Sequence, residues 1–226
     1  MLRAKHILLA VLLAVLMWPS PSVAVPHADF HADLVYEDEG RPARACGAAM
    51  TAGSFARLDV RLGKAGDFTL LVDMKGRMIR VLSQRLKAYV ETKLEGDPRS
   101  WRDLVKSCSS ILMPQTLGMV SLEEKGRQVL GREVVQGYAA ERSRNVFRLG
   151  FLGSYRDITV DVWESDVLVP FPLKVEILES HDTRRGSAYL IGITPSKERD
   201  ELFQVPEDFT RYSSVMDLIL YALSAF

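Results

Sequence analysis

The sequence lacks net charge, and this absence argues against several classes of partner. Its 29 basic residues are matched by 29 acidic residues. Proteins that hold nucleic acid normally carry a basic patch, so no nucleic-acid partner is expected. The apolar run near the start, Ile7–Met17, is shorter than the roughly 20 residues that a bilayer-spanning helix needs. We therefore expect no transmembrane span once a leader has been removed.

Common catalytic motifs are also absent. The chain has no Gly-x-Ser-x-Gly nucleophile elbow, no His-Glu-x-x-His helix and no phosphate-binding loop. His181 lies beside Asp182 in a turn-like region, where a solvated pair is the simpler interpretation. Nothing marks Glu176 and Glu179 as an acid–base pair. We predict that the protein is not an enzyme and uses no cofactor, and keep an enzyme as the third alternative.

Potential metal ligands alternate near the start of the chain. On a strand, His27, Asp29, His31 and Asp33 would share one face. A metal site is one interpretation of four such ligands. The solvated face of a first strand is the other, and we favour it, so no metal is predicted. An amino-terminal copper site would need a backbone N–H at Pro26 after cleavage behind Ala24, and proline has none.

Cysteine is scarce, with Cys46 and Cys108 as the two examples. In an oxidising compartment a pair of cysteines usually bonds. A Cys46–Cys108 disulfide would close a loop of about 62 residues and contribute roughly 4 kcal/mol by chain entropy. Two buried free thiols are the alternative. A catalytic thiol is disfavoured because neither cysteine has a histidine nearby in sequence.

The first 24 residues have the form of a signal peptide. Arg3 and Lys5 precede the apolar run Ile7–Met17, and Ser22-Val23-Ala24 has the small-x-small form that signal peptidase accepts. We predict cleavage after Ala24 and a soluble secreted or periplasmic protein. An uncleaved anchor is the alternative. No cysteine follows the small residues, so lipidation of the amino terminus is not expected.

Residues 49–94 alternate between apolar and polar with the period of a β-strand. Short glycine-containing spacers, at residues 63–66 and 75–76, suit tight reversals. The pattern predicts about four antiparallel strands in a meander with one apolar face and one solvated face. The preceding residues 37–47 are polar and are predicted to form a loop.

From Arg99 to Met113 the apolar period becomes helical, which predicts one amphipathic helix. Asp97 or Ser100 could cap its start, and Pro114 would end it. Such a helix must pack on an apolar surface, and the meander offers one. A second run of strands follows over residues 119–130, 133–147, 157–164, 173–180 and 187–194, with a turn predicted at residues 123–126.

The last segment, 213–226, is predicted to be an amphipathic helix capped by Ser213 or Ser214. Packing over the sheet is its favoured role. A lid, a membrane-surface helix or a helix that docks a partner is the alternative. We divide the chain into a signal peptide at 1–24, one domain at 25–212 and this helix at 213–226.

Three short motifs in the second half resemble those of LolA-like periplasmic proteins, the outer-membrane lipoprotein carrier superfamily. Gly131-Arg132-Glu133-Val134-Val135-Gln136-Gly137-Tyr138 resembles their G-x-E-x-V-x-G-Y segment. Trp163 followed by residues 167–174 is similar to their tryptophan, turn and P-x-K strand. Residues 202–209, LFQVPEDF, are similar to their closing segment. The motifs lie in the order of that superfamily, and the likeness is to an uncharacterised periplasmic branch.

The resemblance implies a fold that is mainly β with α. The expected form is a strongly curved, unclosed antiparallel β-sheet (a half-barrel) with helices covering its concave face. In that superfamily, the cavity between sheet and helices holds lipid acyl chains, and members carry lipids or lipoproteins or sense envelope state. The cysteine pair and the apolar C-terminal helix depart from the pattern.

A curved apolar face with few helices can enclose more space than its own side chains fill, which makes a ligand site. The residues predicted to line this hydrophobic cavity come from the strands and from the helix. They are Leu58, Val60, Leu70, Val72, Val90, Val160, Val162, Val175 and Ile177 on strands, and Trp101, Leu104 and Leu112 on the helix. The alternative for any one of them is an ordinary core position.

We predict a periplasmic, non-enzymatic protein that binds a lipid, an acyl chain or a lipoprotein in this cavity. The alternative is a structural or sensor protein of the envelope that has no bound ligand and acts through protein–protein contacts. An envelope partner would then meet the C-terminal helix.

Overall fold

The computed structural model describes residues 29–38, 40–61, 63, 66–112, 120–151, 154–178 and 184–214. Within them the chain forms twelve strands, one α-helix and a short 3₁₀ helix. The elements are β1 (Phe30–Asp38), β2 (Arg44–Ala52), β3 (Phe55–Arg61), β4 (Asp67–Asp73), β5 (Met78–Ser83), β6 (Ala88–Lys93), α1 (Trp101–Leu112), β7 (Val120–Val135), β8 (Tyr138–Phe151), β9 (Ser154–Glu164), β10 (Lys174–Leu178), β11 (Arg184–Pro195), the 3₁₀ helix (Asp200–Phe203) and β12 (Thr210–Tyr212).

All twelve strands belong to one unclosed sheet, with the order β12-β6-β5-β4-β3-β2-β1-β11-β10-β9-β8-β7. Two meanders, β1–β6 and β7–β11, join where β1 pairs with β11. Every pairing is antiparallel except that of β12 with β6. The predicted mainly β fold with an unclosed antiparallel sheet is confirmed.

The strand register assigns side chains to two faces, because paired residues in a sheet point the same way. Leu58 pairs with Leu70, and Leu70 pairs with Val81. On β1, Leu34 lies between Gly47 of β2 and Leu190 of β11, which carries the same face into the second meander. We call this the α1 face, because α1 packs on it. The opposite side is called the strap face.

The predicted helix is confirmed as α1. Its start is capped by Ser100, whose Oγ accepts a hydrogen bond of 3.3 Å from the Asp103 backbone N–H. The Asp103 carboxylate accepts a second bond, of 2.7 Å, from the Asp97 N–H. Ser107 then ties the helix to the end of β6, because its Oγ accepts a bond of 3.0 Å from the Glu95 N–H.

Helix α1 contacts strands that lie far apart in the sheet order. Leu104 and Cys108 belong to one apolar cluster with Ile79 of β5 and Val90 of β6. Arg102 reaches Glu164 at the end of β9. In a flat sheet, the seven intervals between β5 and β9 would span roughly 34 Å at about 4.8 Å each. A 12-residue helix is about 18 Å long, so the sheet must curve around α1.

The segment 196–209, which we call the strap, crosses the strap face and returns the chain to the edge of the first meander. Glu198 pairs with His31 at 3.0 Å, and the Leu202 carbonyl accepts a hydrogen bond of 2.6 Å from Arg57. Phe203 stacks on Phe55 at a centroid distance of 6.0 Å. The strap ends where β12 pairs with β6, which covers that edge of the sheet.

Four expectations differ from the structure. The polar loop at 37–47 is shorter than predicted, because β1 extends to Asp38 and β2 begins at Arg44. The turn predicted at 123–126 is wrong, since β7 runs through it with a bulge between Glu124 and Gly126. The described residues hold one α-helix, so a cover of several helices is not shown. The signal peptide predicted at 1–24 lies outside the described residues, and so do residues 215–226 of the helix predicted at 213–226.

The fourth difference concerns the predicted Cys46–Cys108 disulfide, which is not formed: both cysteines are free. Cys108 lies inside an apolar cluster, and Cys46 packs partly buried against the same cluster. Burial raises the pKa of Cys46 to about 11 and that of Cys108 to about 12. Both thiols therefore stay protonated and pack as small apolar side chains.

Candidate functional site

The α1 face brings together the residues that were predicted to line a cavity. By register, all nine strand residues of that set point to this face: Leu58, Val60, Leu70, Val72, Val90, Val160, Val162, Val175 and Ile177. Trp101 and Leu104 contact them from α1. The side chain of Leu112 lies outside the described part of the structure. The predicted role of the set in binding stays a prediction.

These residues fall into two apolar clusters rather than one. The first apolar cluster holds Leu58, Leu70, Val72, Val90 and Leu104, with Val60 partly buried beside it. The second apolar cluster is smaller and lies on β8–β10. Its members are Trp101, Phe147, Ile158, Val160, Val162, Val175 and Ile177, with Leu149 partly buried against it. Because α1 contributes side chains to both clusters, the two meet beneath the helix.

The same face becomes charged on β7, β8 and at the end of β9, which sequence reasoning missed. Five residues form what we call the buried charge cluster. They are Arg102 of α1, Glu124 and Arg127 of β7, Glu141 of β8 and Glu164 of β9. Arg127 pairs with Glu141 at 2.9 Å and with Glu164 at 3.8 Å, and Arg102 lies 3.5 Å from Glu164.

Arg102 is the most deeply buried member of this cluster, with 1% of its surface exposed. Burial lowers its pKa to about 10, and Glu164 acts in the opposite direction. A guanidinium this deeply buried stays charged, so it needs the nearby carboxylates as partners. The pair joins α1 to β9, which lies on the far side of the sheet from the strands that hold Leu104.

Two carboxyl groups of the cluster have raised pKa values. Burial raises the pKa of Glu164 to about 7, although Arg102 and Arg127 act to lower it. Burial likewise raises the pKa of Glu124 to about 7, against the same two arginines. Both groups therefore change protonation near neutral pH.

We expect the protein to lose stability as the pH rises from about 5 to 8. A carboxyl whose pKa is raised in the folded state holds its proton more tightly there than in the unfolded chain. The resulting stabilisation is present below the unfolded pKa and is lost as the pH passes through about 7. For Glu164 the loss amounts to at most about 3 kcal/mol.

Urea unfolding followed by circular dichroism at a series of pH values measures this dependence. In Glu164→Gln, the difference in unfolding free energy between pH 5 and pH 8 is expected to shrink by about 1–3 kcal/mol relative to the unchanged protein. If the unfolding free energy depended on pH equally in the two proteins, the assignment of Glu164 as a group that titrates near pH 7 would be contradicted.

A signal for the cluster was present in the sequence but ran against the alternation rule. Residues 141–145 read Glu-Arg-Ser-Arg-Asn, so neither set of alternating positions is apolar. In the structure Ser143 and Asn145 are both fully buried on the α1 face. A stretch of strand that is polar at every position, inside an otherwise alternating sheet, indicates a buried polar site.

On the strap face, the motif residues Glu133, Trp163 and Lys174 come together. The Trp163 ring lies between Arg142, at 4.8 Å, and Lys174, at 4.6 Å, and its indole N–H donates to Glu133. Trp163 is 3% exposed. These residues form a packed unit that is stabilised by cation–π contacts, and they account for the motif without a ligand.

No group of three or more histidine, cysteine, aspartate or glutamate residues in the described ranges is arranged to hold a metal ion. The described part of the chain also contains no helix that is long and apolar enough to cross a membrane. What the α1 face offers is an apolar surface next to a buried polar site, both beneath one helix.

No family model matches this chain, and no curated protein matches it. Among solved structures, an uncharacterised conserved protein from Thermus thermophilus is 9% identical, with a TM-score of 0.44, and the match covers 83% of this chain and 91% of that one. LprF from Mycobacterium bovis is 12% identical, with a TM-score of 0.29 and coverage of 81% and 90%. MucB in the Pseudomonas aeruginosa MucA/MucB complex is 14% identical, with a TM-score of 0.33 and coverage of 80% and 56%. Likenesses at this level establish neither a family nor a function.

Proposed function

We propose that the protein is an exported, periplasmic, non-enzymatic binding protein that takes the acyl chain of a lipid or lipoprotein between α1 and the sheet. The observation that carries this proposal is the arrangement of the α1 face. Nine strand positions predicted as lining share that face, and one 12-residue helix packs across them. Apolar surfaces of this kind, bordered by a few buried polar groups, are typical ligand sites.

Helix α1 is the natural cover of the site. It contacts the first apolar cluster through Leu104 and the second through Trp101. A ligand chain that lies along either cluster would therefore contact the helix as well as the strands. Binding in this position would use burial of apolar surface, which is worth roughly 0.8 kcal/mol for each CH₂ group removed from water.

Native mass spectrometry of protein purified without detergent, combined with lipid extraction, tests the proposal. The expected result is a bound species with the mass of a lipid or acyl chain. A protein that carries no ligand and takes up none on titration with palmitate or a monoacyl lipid would overturn it.

A matched pair of substitutions locates the site. Leu149 of β8 lies on the α1 face partly buried beside the second apolar cluster, whereas Val134 near the end of β7 is 73% exposed. Leu149→Trp adds bulk to the proposed site and is expected to weaken binding of a monoacyl lipid at least about tenfold, which corresponds to 1.4 kcal/mol. Val134→Trp, the control, is expected to leave the affinity unchanged. Equal affinities in the two variants would move the site away from the second apolar cluster.

A second candidate function, protein contact without a ligand, has one observation in its favour. Strand β7 is at one end of the sheet order, and it carries Val129, Leu130 and Val134 exposed to solvent. An edge strand with exposed apolar residues can receive a strand from a partner. A protein free of ligand that pulls down one envelope protein, and loses it when these three residues are made polar, would favour this function.

A further inference from the structure

Four buried polar atoms under the first turn of α1 make no hydrogen bond within the described part of the structure. They are Nε1 of Trp101, Oε1 of Glu124, Nε of Arg127 and Oδ1 of Asn145. Trp101 is 3% exposed and Asn145 is fully buried. A buried donor or acceptor that makes no hydrogen bond costs about 1–3 kcal/mol of stability. Four such groups in one place indicate a site that is completed by something else.

The strand register shows that these atoms lie close together. Asn145 of β8 pairs with Arg127 of β7 on one side and with Val160 of β9 on the other. Glu124 pairs with Phe147, the next residue of β8 on the same face. Adjacent strands are about 4.8 Å apart, so these side chains are immediate neighbours. We call the four residues Trp101, Glu124, Arg127 and Asn145 the polar subsite.

Trp101 closes the polar subsite from above. Its ring packs in the second apolar cluster with Phe147 and Val160, which flank Asn145 along and across the strands. The indole N–H approaches Glu164 closely enough to act on its pKa without reaching hydrogen-bonding geometry with any described atom. The polar subsite and the second apolar cluster thus share a boundary at Trp101.

The charge of this region favours a neutral ligand group. The two guanidiniums of Arg102 and Arg127 already face Glu141 and Glu164. Because burial raises the pKa values of Glu124 and Glu164 to about 7, both carboxyl groups carry less than a full negative charge near neutral pH, and Glu141 faces Arg127 as well. An anionic head would lie against three glutamates, and a cationic head would lie against two arginines. Transferring either charge from water would also carry the full cost of desolvation.

The open hydrogen-bonding groups are two donors and two acceptors, which sets the kind of neutral group that fits. The donors are the N–H groups of Trp101 and Arg127, and the acceptors are the oxygens of Glu124 and Asn145. A ketone, ether or ester oxygen would satisfy the donors alone. An amide or hydroxyl group both donates and accepts, so it can satisfy donors and acceptors together.

We propose that the polar subsite binds the neutral, hydrogen-bonding head of an acyl ligand, an amide or a hydroxyl group, while the chain lies along the second apolar cluster. This inference rests on the proposed function, because it names the head group of a ligand in that site. The head enters beside Asn145, and the chain runs past Val160 towards Ile177. Selectivity then comes from hydrogen bonds that only a donor-and-acceptor head completes.

A ligand series with one chain length tests the head group. Dodecanamide and dodecanol carry the neutral donor-and-acceptor head; methyl dodecanoate, dodecanoate and dodecyltrimethylammonium are acceptor-only, anionic and cationic. At pH 7.5, dodecanamide is expected to bind at least about tenfold more tightly than each of these last three. In ¹⁵N-labelled protein, the Trp101 indole resonance, identified by its loss in Trp101→Phe, is expected to shift when dodecanamide binds, because Trp101 borders both the polar subsite and the second apolar cluster.

The variant Asn145→Leu replaces the amide by an apolar group of similar size. It is expected to reduce the preference for dodecanamide over methyl dodecanoate to less than about threefold, while the affinity for methyl dodecanoate stays the same. Glu124→Met removes the acceptor oxygen at the partly exposed side of the subsite and provides a second variant in case Asn145→Leu does not fold. Its expected effect is at least a threefold loss in the preference for dodecanamide over methyl dodecanoate. Affinities that are equal across the series, tightest binding of dodecanoate, or an unaltered preference in a folded variant would each overturn the head-group assignment and leave acyl binding intact. Failure of every ligand to bind would overturn the proposed function itself.

Discussion

Replacing Arg102 with methionine is expected to destabilise the protein by about 3–5 kcal/mol at pH 8. Arg102 is 1% exposed and lies 3.5 Å from Glu164. Methionine keeps most of the apolar stem but removes the cation. Among the described residues, the buried Glu164 carboxylate then has only Arg127 as a nearby positive charge. Urea unfolding measures the loss. The penalty is expected to be smaller at pH 5, where the carboxyl is protonated.

Two further variants decide whether charge is the cause. In the double variant Arg102→Met with Glu164→Gln, most of the lost stability is expected to return, since neither side chain is then charged. Arg148→Met provides the surface control: Arg148 pairs with Asp157 at 2.8 Å, but both side chains are well exposed, so a change below about 1 kcal/mol is expected. A double variant as unstable as Arg102→Met alone would show that lost packing, and not the unpaired carboxyl, is responsible.

Gly47→Ala is expected to destabilise the protein by about 3 kcal/mol or more. Gly47 lies on β2, in the middle of the α1 face, between Leu34 and Val60. A Cβ atom added there would lie 1.8 Å from the backbone oxygen of Asp59 and 2.8 Å from its carbonyl carbon. The obstacle is backbone, which cannot rotate away as a side chain can, so β2 and β3 would have to separate.

Gly126→Ala is the matched control for this substitution. Gly126 also lies on a strand, and a Cβ atom added there would have no atom within 4 Å. The unfolding free energy of the Gly126→Ala variant is expected to stay within about 1 kcal/mol of that of the unchanged protein, because alanine also reduces the entropy of the unfolded chain. Thermal and urea unfolding of both variants give the comparison. A Gly47→Ala protein as stable as Gly126→Ala would mean that β2 and β3 leave room for a Cβ atom at position 47.

Much of the fold follows from the amino-acid pattern, because its strands are short-range features. In β3, Leu58 lies between the polar residues Arg57 and Asp59 and is buried on the predicted face, as is its partner Leu70 in β4. The helical period around Leu104 and the cap at Ser100 were likewise local signals. The pairing of β1 with β11 could not be predicted in this way, because it joins residues about 155 positions apart in sequence and leaves no local pattern.

The polar part of the site was not predicted from the sequence, and the reason is physical. Alternation identifies a buried face by its apolar residues, and Asn145, Arg127 and Glu124 are polar residues on that face. Their burial depends on α1, which lies across them through Arg102 and Trp101. The prediction of a disulfide was wrong for a related reason. Two cysteines form a bond only if the fold brings their thiols together, and here each cysteine is free and packs among apolar side chains.

The join between β1 and β11 has a consequence for how the chain reaches this structure. Each meander pairs only strands that are neighbours in sequence, so each can form as its own residues become available. The join must wait for residues 184–195 and closes a very long loop, a step that costs more chain entropy than any hairpin. A chain that is delivered with its amino terminus first therefore holds β1 with one open edge until residues 184–195 have arrived. Folding in two halves, followed by docking across β1, is the order that this topology favours.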